Sequence, residues 1–231
     1  MQLSNRLRAL ASFIDKGDKV ADIGTDHGFV PNFIVQNNLT DFCIASDISK
    51  NSLIKSIELT NELKNENKIV NRVGAGLKVL KKDEVDDVII AGMGGLLMIE
   101  IIKEDFEKVK NLKKLILQPM QAQSELRKYL YENGFEISDE KIIYEDKKYF
   151  EIIVAEYTGK LKEIDHIFYE IPYYPYIRKD NIIKDYLNNR IQYSKVIYNN
   201  LNKSNDIEKM KEKIQEYKIF IERCEVLFNE I

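Results

Sequence analysis

Apolar positions recur along this chain with two alternating periods, and the alternation predicts the elements. Leu3, Leu7, Leu10 and Ile14 follow helical spacing, and Gly17-Asp18 should end that helix before a first strand at 19–23. Phe29, Val30, Phe33 and Ile34 begin a second helix, and a second strand covers 42–46. An amphipathic helix is expected over 49–66 with Leu53, Ile57 and Leu63 inward, followed by strands at 69–73, 86–91 and 115–117. The run from Val88 to Ala91 is wholly apolar, as a parallel strand covered on both faces should be. A helix over 122–132 stops at Asn133-Gly134, and strands at 135–144 and 149–157 flank the turn Glu145-Asp146-Lys147-Lys148. Strand alternating with helix and then a closing hairpin gives an α/β fold, a doubly wound parallel sheet with an antiparallel edge.

After Thr158-Gly159 the pattern changes, which divides the chain into domains at 1–160 and 161–231. Eight of the 13 tyrosines fall in the second part, and Pro172-Tyr173-Tyr174-Pro175-Tyr176 is expected to be an irregular connector. Ile183, Leu187, Ile191, Ile197 and Leu201 make one apolar stripe. Ile207, Met210, Ile214, Tyr217, Ile221, Cys224, Phe228 and Ile231 make a second with the alternating three-and-four spacing of a coiled-coil seam. Lys203-Ser204-Asn205-Asp206 supplies the turn and helix start between them. The stripes can pair within one chain or form a dimer; the short connector favours an antiparallel pair within the chain, and hence a monomer.

Composition bounds the class. The 231 residues suffice for one α/β domain of about 150 residues plus an appendage. Hydrophobic residues at 44% and charged ones at 32% suit a soluble protein, and no run reaches the roughly 18 apolar residues of a membrane span, so a cytoplasmic protein is expected. MQLSNRLRALASF reads as an amphipathic helix and not a signal peptide. Cys43 and Cys224 fall in a strand and a helix, which argues against a disulfide or a metal site. A net charge of -3 does not advertise nucleic acid. RNA binding would need local pairs such as Lys113-Lys114, Arg127-Lys128, Lys147-Lys148 or Arg178-Lys179, each of which can equally be a solvated surface pair.

The chemistry concentrates at the strand exits. In VADIGTDHGFVP, residues 20–31, Asp22 leaves the first strand and Gly24 and Gly28 bracket a turn before a helix. Such a turn lets a ligand approach the backbone closely, although an ordinary strand-to-helix connection looks the same. Asp47, at the second strand exit, sits where an acid can accept both ribose hydroxyls of an adenosine cofactor. A dinucleotide site needs glycines in the order G-x-G-x-x-G, and here Asp26 stands at the second glycine, where it would repel a pyrophosphate. The D-x-G-x-x-x-G spacing resembles motif I of class I S-adenosylmethionine-dependent methyltransferases. Gly74-Ala75-Gly76 and Gly92-Met93-Gly94-Gly95 close two further strands at the same edge, where ligands bind in open α/β sheets.

LSNRLRALASFI, VADIGTDHGFVP, AGMGG, LILQPM and EDKKYFEIIVAEY, followed by a helical C-terminus, together resemble the bacterial TrmK family, tRNA adenine-N1 methyltransferases acting at position 22. The resemblance covers essentially the whole chain. It implies a Rossmann-like class I methyltransferase sheet, S-adenosylmethionine as cofactor, tRNA as partner, and C-terminal helices that hold the tRNA. Asp22, Gly24, Asp26, His27, Asp47, Ile48, Gly74, Ala75, Gly76, Gly92 and Met93 become the expected cofactor residues, with Met93 and Gly94 facing the transferred methyl. Arg6, Gly94, Gln118, Arg178, Lys179 and Arg190 become the expected substrate contacts. The family usually has an acid where this chain has Ala75, at the position expected to meet the adenine amino group; a backbone group can substitute there.

The residues themselves narrow the reaction. Methylation at carbon 5 of a pyrimidine needs a thiolate near the fourth strand exit, where neither cysteine falls. Amino-group methylation usually employs an Asn/Asp-Pro-Pro-aromatic loop, absent from Gly92-Met93-Gly94-Gly95. Adenine N1 offers its lone pair without a strong base, leaving alignment and electrostatics as the enzyme's work. Asp26 is the candidate catalytic carboxylate for the developing cation, or else a loop-shaping or ammonium-binding acid; His27 can be a loop hydrogen-bonder or a catalyst. The competing readings are a small-molecule methyltransferase, a non-catalytic cofactor-binding protein and an NAD enzyme.

Overall fold

The computed structural model describes residues 3–203 and 207–231, which form two compact units, Met1–Ile164 and Asp165–Ile231.

The first unit begins with α1 (Asn5–Ala11), capped by the Ser4 hydroxyl, which accepts from Leu7 N–H. The helix stops well before Gly17. Phe13 and Ile14 continue with tighter bonds to Leu10 and Ala11, three residues back, so Ile14 keeps its place in the core although the α-helix has ended. The chain then runs through β1 (Val20–Ile23), α2 (Phe29–Gln36), β2 (Cys43–Asp47), α3 (Lys50–Glu62), β3 (Ile69–Val73), β4 (Asp87–Met93), α4 (Gly95–Glu104), α5 (Phe106–Val109), β5 (Lys114–Pro119), α6 (Gln123–Glu132), β6 (Phe135–Glu145) and β7 (Lys148–Tyr157).

The seven strands stand in the order β3-β2-β1-β4-β5-β7-β6. The first five are parallel, and β7 runs antiparallel to both β5 and β6, so the closing hairpin forms the edge. The chain moves outward from β1 to β3 and returns to lay β4 on the other side of β1. That reversal opens a crevice at the carboxyl ends of β1 and β4. Ala9, Leu10, Val30, Ile34, Ile89, Ile116 and Ile152 form a core against α1 and α2.

Two further helices depart from the sequence expectation. In α3 the buried positions are Leu53, Ser56 and Thr60, whereas Ile57 is 39% exposed. Its inner face is polar because Ser56 donates to Asn71 at 2.7 Å and Asn32 donates to Thr60 at 3.2 Å, a network that satisfies groups apolar spacing overlooks. The helix also ends at Glu62, before 66, where Lys64 turns left-handed at φ 56°. The pattern reading placed no helix after Gly94-Gly95. Gly95 begins α4 because its position leaves no room for a Cβ against the Ala122 carbonyl, and its N–H donates to Gln121 at 2.8 Å.

Arg127 corrects the surface-pair reading of residues 127–128. It is fully buried, with Nε donating to Glu140 at 2.7 Å and a terminal nitrogen to Glu151 at 2.6 Å. Lys113 and Lys114 are likewise tied to acids, Asp18 at 2.5 Å and Asp15 at 2.7 Å.

In the second unit, α7 (Ile167–Glu170) and α8 (Tyr173–Ile177) precede α9 (Ile183–Asn202) and α10 (Ile207–Glu230). The tyrosine-rich connector is thus partly helical. Pro175 fits because it stands in the first turn of α8, where a backbone N–H has no helical partner to lose. α9 and α10 pack on each other within the chain, Lys184 reaching the Phe228 ring and Arg190 the Phe220 ring, which makes the pair antiparallel. Met210, Ile214, Tyr217, Ile221, Cys224 and Phe228 are all buried or half-buried. The expected turn at Ser204-Asn205-Asp206 and the side chain of Ile207 lie outside the described residues.

Candidate active site

The crevice is shaped by short backbone bonds. Gly24 N–H and Thr25 N–H both donate to Ser46 O, at 2.7 and 2.9 Å, which pins the loop after β1 to the end of β2. The Thr25 hydroxyl donates to Asp22 Oδ2 at 2.7 Å. Burial pushes the Asp22 carboxyl up to about 6, against the Thr25 bond and with a contribution from the Asp47 charge. Asp47 accepts from Ser49 N–H at 2.7 Å through Oδ1, while Ser49 caps α3. Its backbone carbonyl receives the Gly74 N–H at 3.1 Å, which brings the β3 exit alongside.

These loops and α4 enclose a cleft of about 300 Å3. It is lined at the strand exits by Ile23, Gly24, Asp47, Ile48, Gly74, Ala75, Gly76, Lys78 and Met93, and from α4 and its end by Leu97, Glu100, Ile101, Glu104 and Asp105. Seven expected cofactor residues therefore meet: Gly24, Asp47, Ile48, Gly74, Ala75, Gly76 and Met93. Gly24, at φ 80°, has no room for a Cβ beside the Met93 methyl, and Gly76, at φ 53°, packs under Ile101.

Asp22, Asp26, His27 and Gly92 do not line the cleft. Asp22 is buried behind the loop. The Asp26 carboxylate is 70% exposed at φ 47° and lies 2.8 Å from His27 Nδ1, and the His27 ring stacks on Phe29 at 5.2 Å. Gly92, at φ 77°, faces open space. The α4 wall was missed with its helix, although Leu97, Glu100, Ile101 and Glu104 have the spacing of one helical face.

The expected substrate residues fall into two groups. Arg6 and Gln118 meet at 2.7 Å beside the exit of β5, while Gly94 caps α4 next to Gln121. Arg178, Lys179 and Arg190 belong to the second unit and bond internally, to Asp180, the Glu230 carbonyl and Glu170.

Cys43 and Cys224 are both buried free thiols; burial raises Cys43 well above its usual value and Cys224 to about 12. Among the described residues, no helix is long and apolar enough to cross a membrane and no His/Cys/Asp/Glu group is placed to hold a metal.

The strand order and the cleft at the β1/β4 reversal define a Rossmann-like methyltransferase domain, and residues 3–153 match the methyltransferase domain family. The chain is 31% identical over 220 residues, 94% of its length and 92% of the relative's, to the tRNA (adenine(22)-N(1))-methyltransferase of Bacillus subtilis. The crystal structure of the B. subtilis m1A22 tRNA methyltransferase TrmK superposes with a TM-score of 0.87 at 28% identity, covering 98% of this chain and 99% of that one. M. capricolum TrmK, in complex with S-adenosyl-homocysteine, superposes at 0.80 with 27% identity over 96% and 99%. This chain belongs to the TrmK family of tRNA adenine-N1 methyltransferases.

Proposed function

We propose that this chain transfers a methyl group from S-adenosylmethionine to N1 of the adenine at position 22 of tRNA. The supporting observation is a cofactor-sized cleft at the sheet reversal in a chain that matches the B. subtilis enzyme almost end to end. The test is incubation with unmodified tRNA and S-adenosylmethionine, followed by mass spectrometry of the nucleosides. N1-methyladenosine at position 22 is expected; 5-methylcytidine or N6-methyladenosine would overturn the reading.

The cleft fits the cofactor. The Asp47 carboxylate has four acceptor positions, of which Ser49 takes one, leaving others for ribose hydroxyls. Ile48, Leu97 and Ile101 supply apolar surface for the adenine. Asp47, Glu100, Glu104 and Asp105 outnumber Lys78, a balance suited to a cationic ligand.

S-adenosylmethionine supplies an electrophilic methyl on a sulfonium. The adenine N1 lone pair takes that methyl as its bond to sulfur breaks, and the positive charge passes to the base without loss of a proton. The chain therefore needs alignment, not a strong base. Gly24 and Met93 set the floor on which the acceptor is aligned. Asp26, which stands outside the cleft lining in the loop between Gly24 and Gly28, carries the proposed electrostatic role toward the developing cation, with His27 Nδ1 2.8 Å from its carboxylate.

In this reading Met1–Ile164 binds the cofactor and Asp165–Ile231 holds the tRNA. What favours the second unit for RNA is its cleft of about 520 Å3, where Tyr193, Tyr217 and Phe220 stand with Arg190 and Lys213 beside the acids Glu170 and Glu216. Aromatic faces beside cations suit unstacked bases. The protein works as a cytoplasmic monomer.

A further inference from the structure

Arg6 takes no part in the scheme above, yet it is braced at the carboxyl edge of the sheet. Its Nη1 donates to Gln118 Oε1 at 2.7 Å, its guanidinium carbon lies 5.3 Å from the centre of the Phe150 ring, and its backbone N–H donates to Glu145 at 3.1 Å. Gln118 is fully buried, and its amide nitrogen donates to Pro119 O at 3.0 Å. Pro119 stands opposite Met93 in the sheet, and Met120 N–H donates to Met93 O at 2.8 Å. A short relay of contacts therefore runs from the guanidinium to the wall of the cofactor cleft.

The side-chain part of the brace is neutral, since the one carboxylate, Glu145, accepts from the Arg6 backbone N–H. Among the described residues no carboxylate forms an ion pair with the Arg6 side chain, whereas Lys78, Lys113 and Lys114 are each paired with an acid. A clip between α1 and the sheet would not require a charge. A guanidinium held near an aromatic face, with one of its five donors fixed, keeps the remainder of its fork for an anion. The acceptor base cannot be that partner, because it becomes cationic on methylation and a guanidinium against the ring would oppose the reaction. Resting on the methyltransferase reading, we propose that Arg6 binds the phosphate of the nucleotide being methylated and so fixes its base beside Met93.

The test is tRNA binding by Arg6→Gln and Arg6→Lys across a salt series, with calorimetric titration of S-adenosylmethionine in parallel. Arg6→Gln should lower tRNA affinity about tenfold and make the slope of log K against log salt shallower by about 0.7 to 1, the share of one phosphate. Arg6→Lys should keep the wild-type slope, and both variants should bind the cofactor as the wild type does. Parallel slopes for Arg6→Gln and wild type, or equal losses in both variants that track a lower melting temperature, would overturn the assignment. Should Arg6→Gln be too unstable to titrate, Phe150→Leu loosens the brace and keeps the charge: weaker tRNA binding at an unchanged slope supports the proposal, and unchanged affinity overturns it. A wild-type protein that fails to bind S-adenosylmethionine counts against the function, whereas parallel slopes with cofactor binding intact count against Arg6 alone.

Discussion

The terminal methyl of Met93 occupies the space that a Cβ on Gly24 would need. The β1 loop and the β4 exit therefore meet through the Met93 side chain laid directly on the Gly24 backbone, and Gly24 holds φ 80°, which other residues rarely adopt. Gly24→Ala should displace Met93 and narrow the cleft. We expect cofactor affinity to fall by more than about tenfold, with stability reduced by roughly 1–3 kcal/mol from the strained backbone. Calorimetric titration and urea denaturation of the same preparation separate the two effects. A folded variant with wild-type affinity would show that the contact does not shape the site.

Asp47 offers a cleaner excision, since its backbone carbonyl still receives the Gly74 N–H once the carboxylate and its bond from Ser49 N–H are removed. A hydrogen bond to a carboxylate contributes roughly 1.5–3 kcal/mol, so Asp47→Ala should weaken S-adenosylmethionine binding at least about tenfold and leave the circular dichroism spectrum unchanged. Undiminished affinity in the titration would remove Asp47 from the ribose site.

Both residues were legible before the structure because strand exits are marked twice, by the end of an apolar run and by glycine. The order of the sheet was not. Only the pairing of β7 with β5 shows that the second hairpin strand lies inside the first. The opposite wall of the cleft stayed hidden behind Gly94-Gly95, which reads as loop until Gly95 is seen to be small because Ala122 O lies against it. Arg127 misled for another reason: a sequence cannot show that Glu140 and Glu151, far along the chain, turn inward to meet it. The polar face of α3 failed the apolar-spacing rule in the same way, its Ser56 and Thr60 being satisfied by Asn71 and Asn32.

Asp87 makes the stability of the fold depend on pH. It starts β4 fully buried, with Lys114 Nζ at 3.9 Å. Burial, opposed by Lys114 and helped by Asp18, Asp15 and Asp86, raises its carboxyl to about 7. The folded protein thus holds a proton that the unfolded chain releases above its ordinary value of 3.8. Stability from this group is complete below about pH 4, is lost as pH rises toward 7, and changes no further above that. Asp87→Asn should therefore exceed the wild type by about 1–4 kcal/mol at pH 8 and match it near pH 4. Urea denaturation at the two pH values is the measurement, and an equal difference at both would exclude titration of Asp87 as the cause.

Separating the two units tests the division of labour most directly. Every residue of the cofactor cleft lies between Ile23 and Asp105, and the seven-stranded sheet is complete at Tyr157. The first unit has its own core on the α1 and α2 side of the sheet, which should let it fold alone. Of the cations proposed to meet tRNA, Arg178, Lys179 and Arg190 belong to the second unit, whereas Arg6 belongs to the first. A chain ending at Ile164 should therefore bind S-adenosylmethionine within a few-fold of the full protein and lose nearly all tRNA methylation. The full-length protein should in turn lose tRNA affinity steeply with salt, since phosphate contacts release counterions. Circular dichroism establishes folding, and labelled methyl uptake into tRNA gives the rate. A folded first unit that methylates tRNA as fast as the whole chain would move RNA recognition onto the sheet edge, leaving Arg6 and Lys147-Lys148 as the cations to examine.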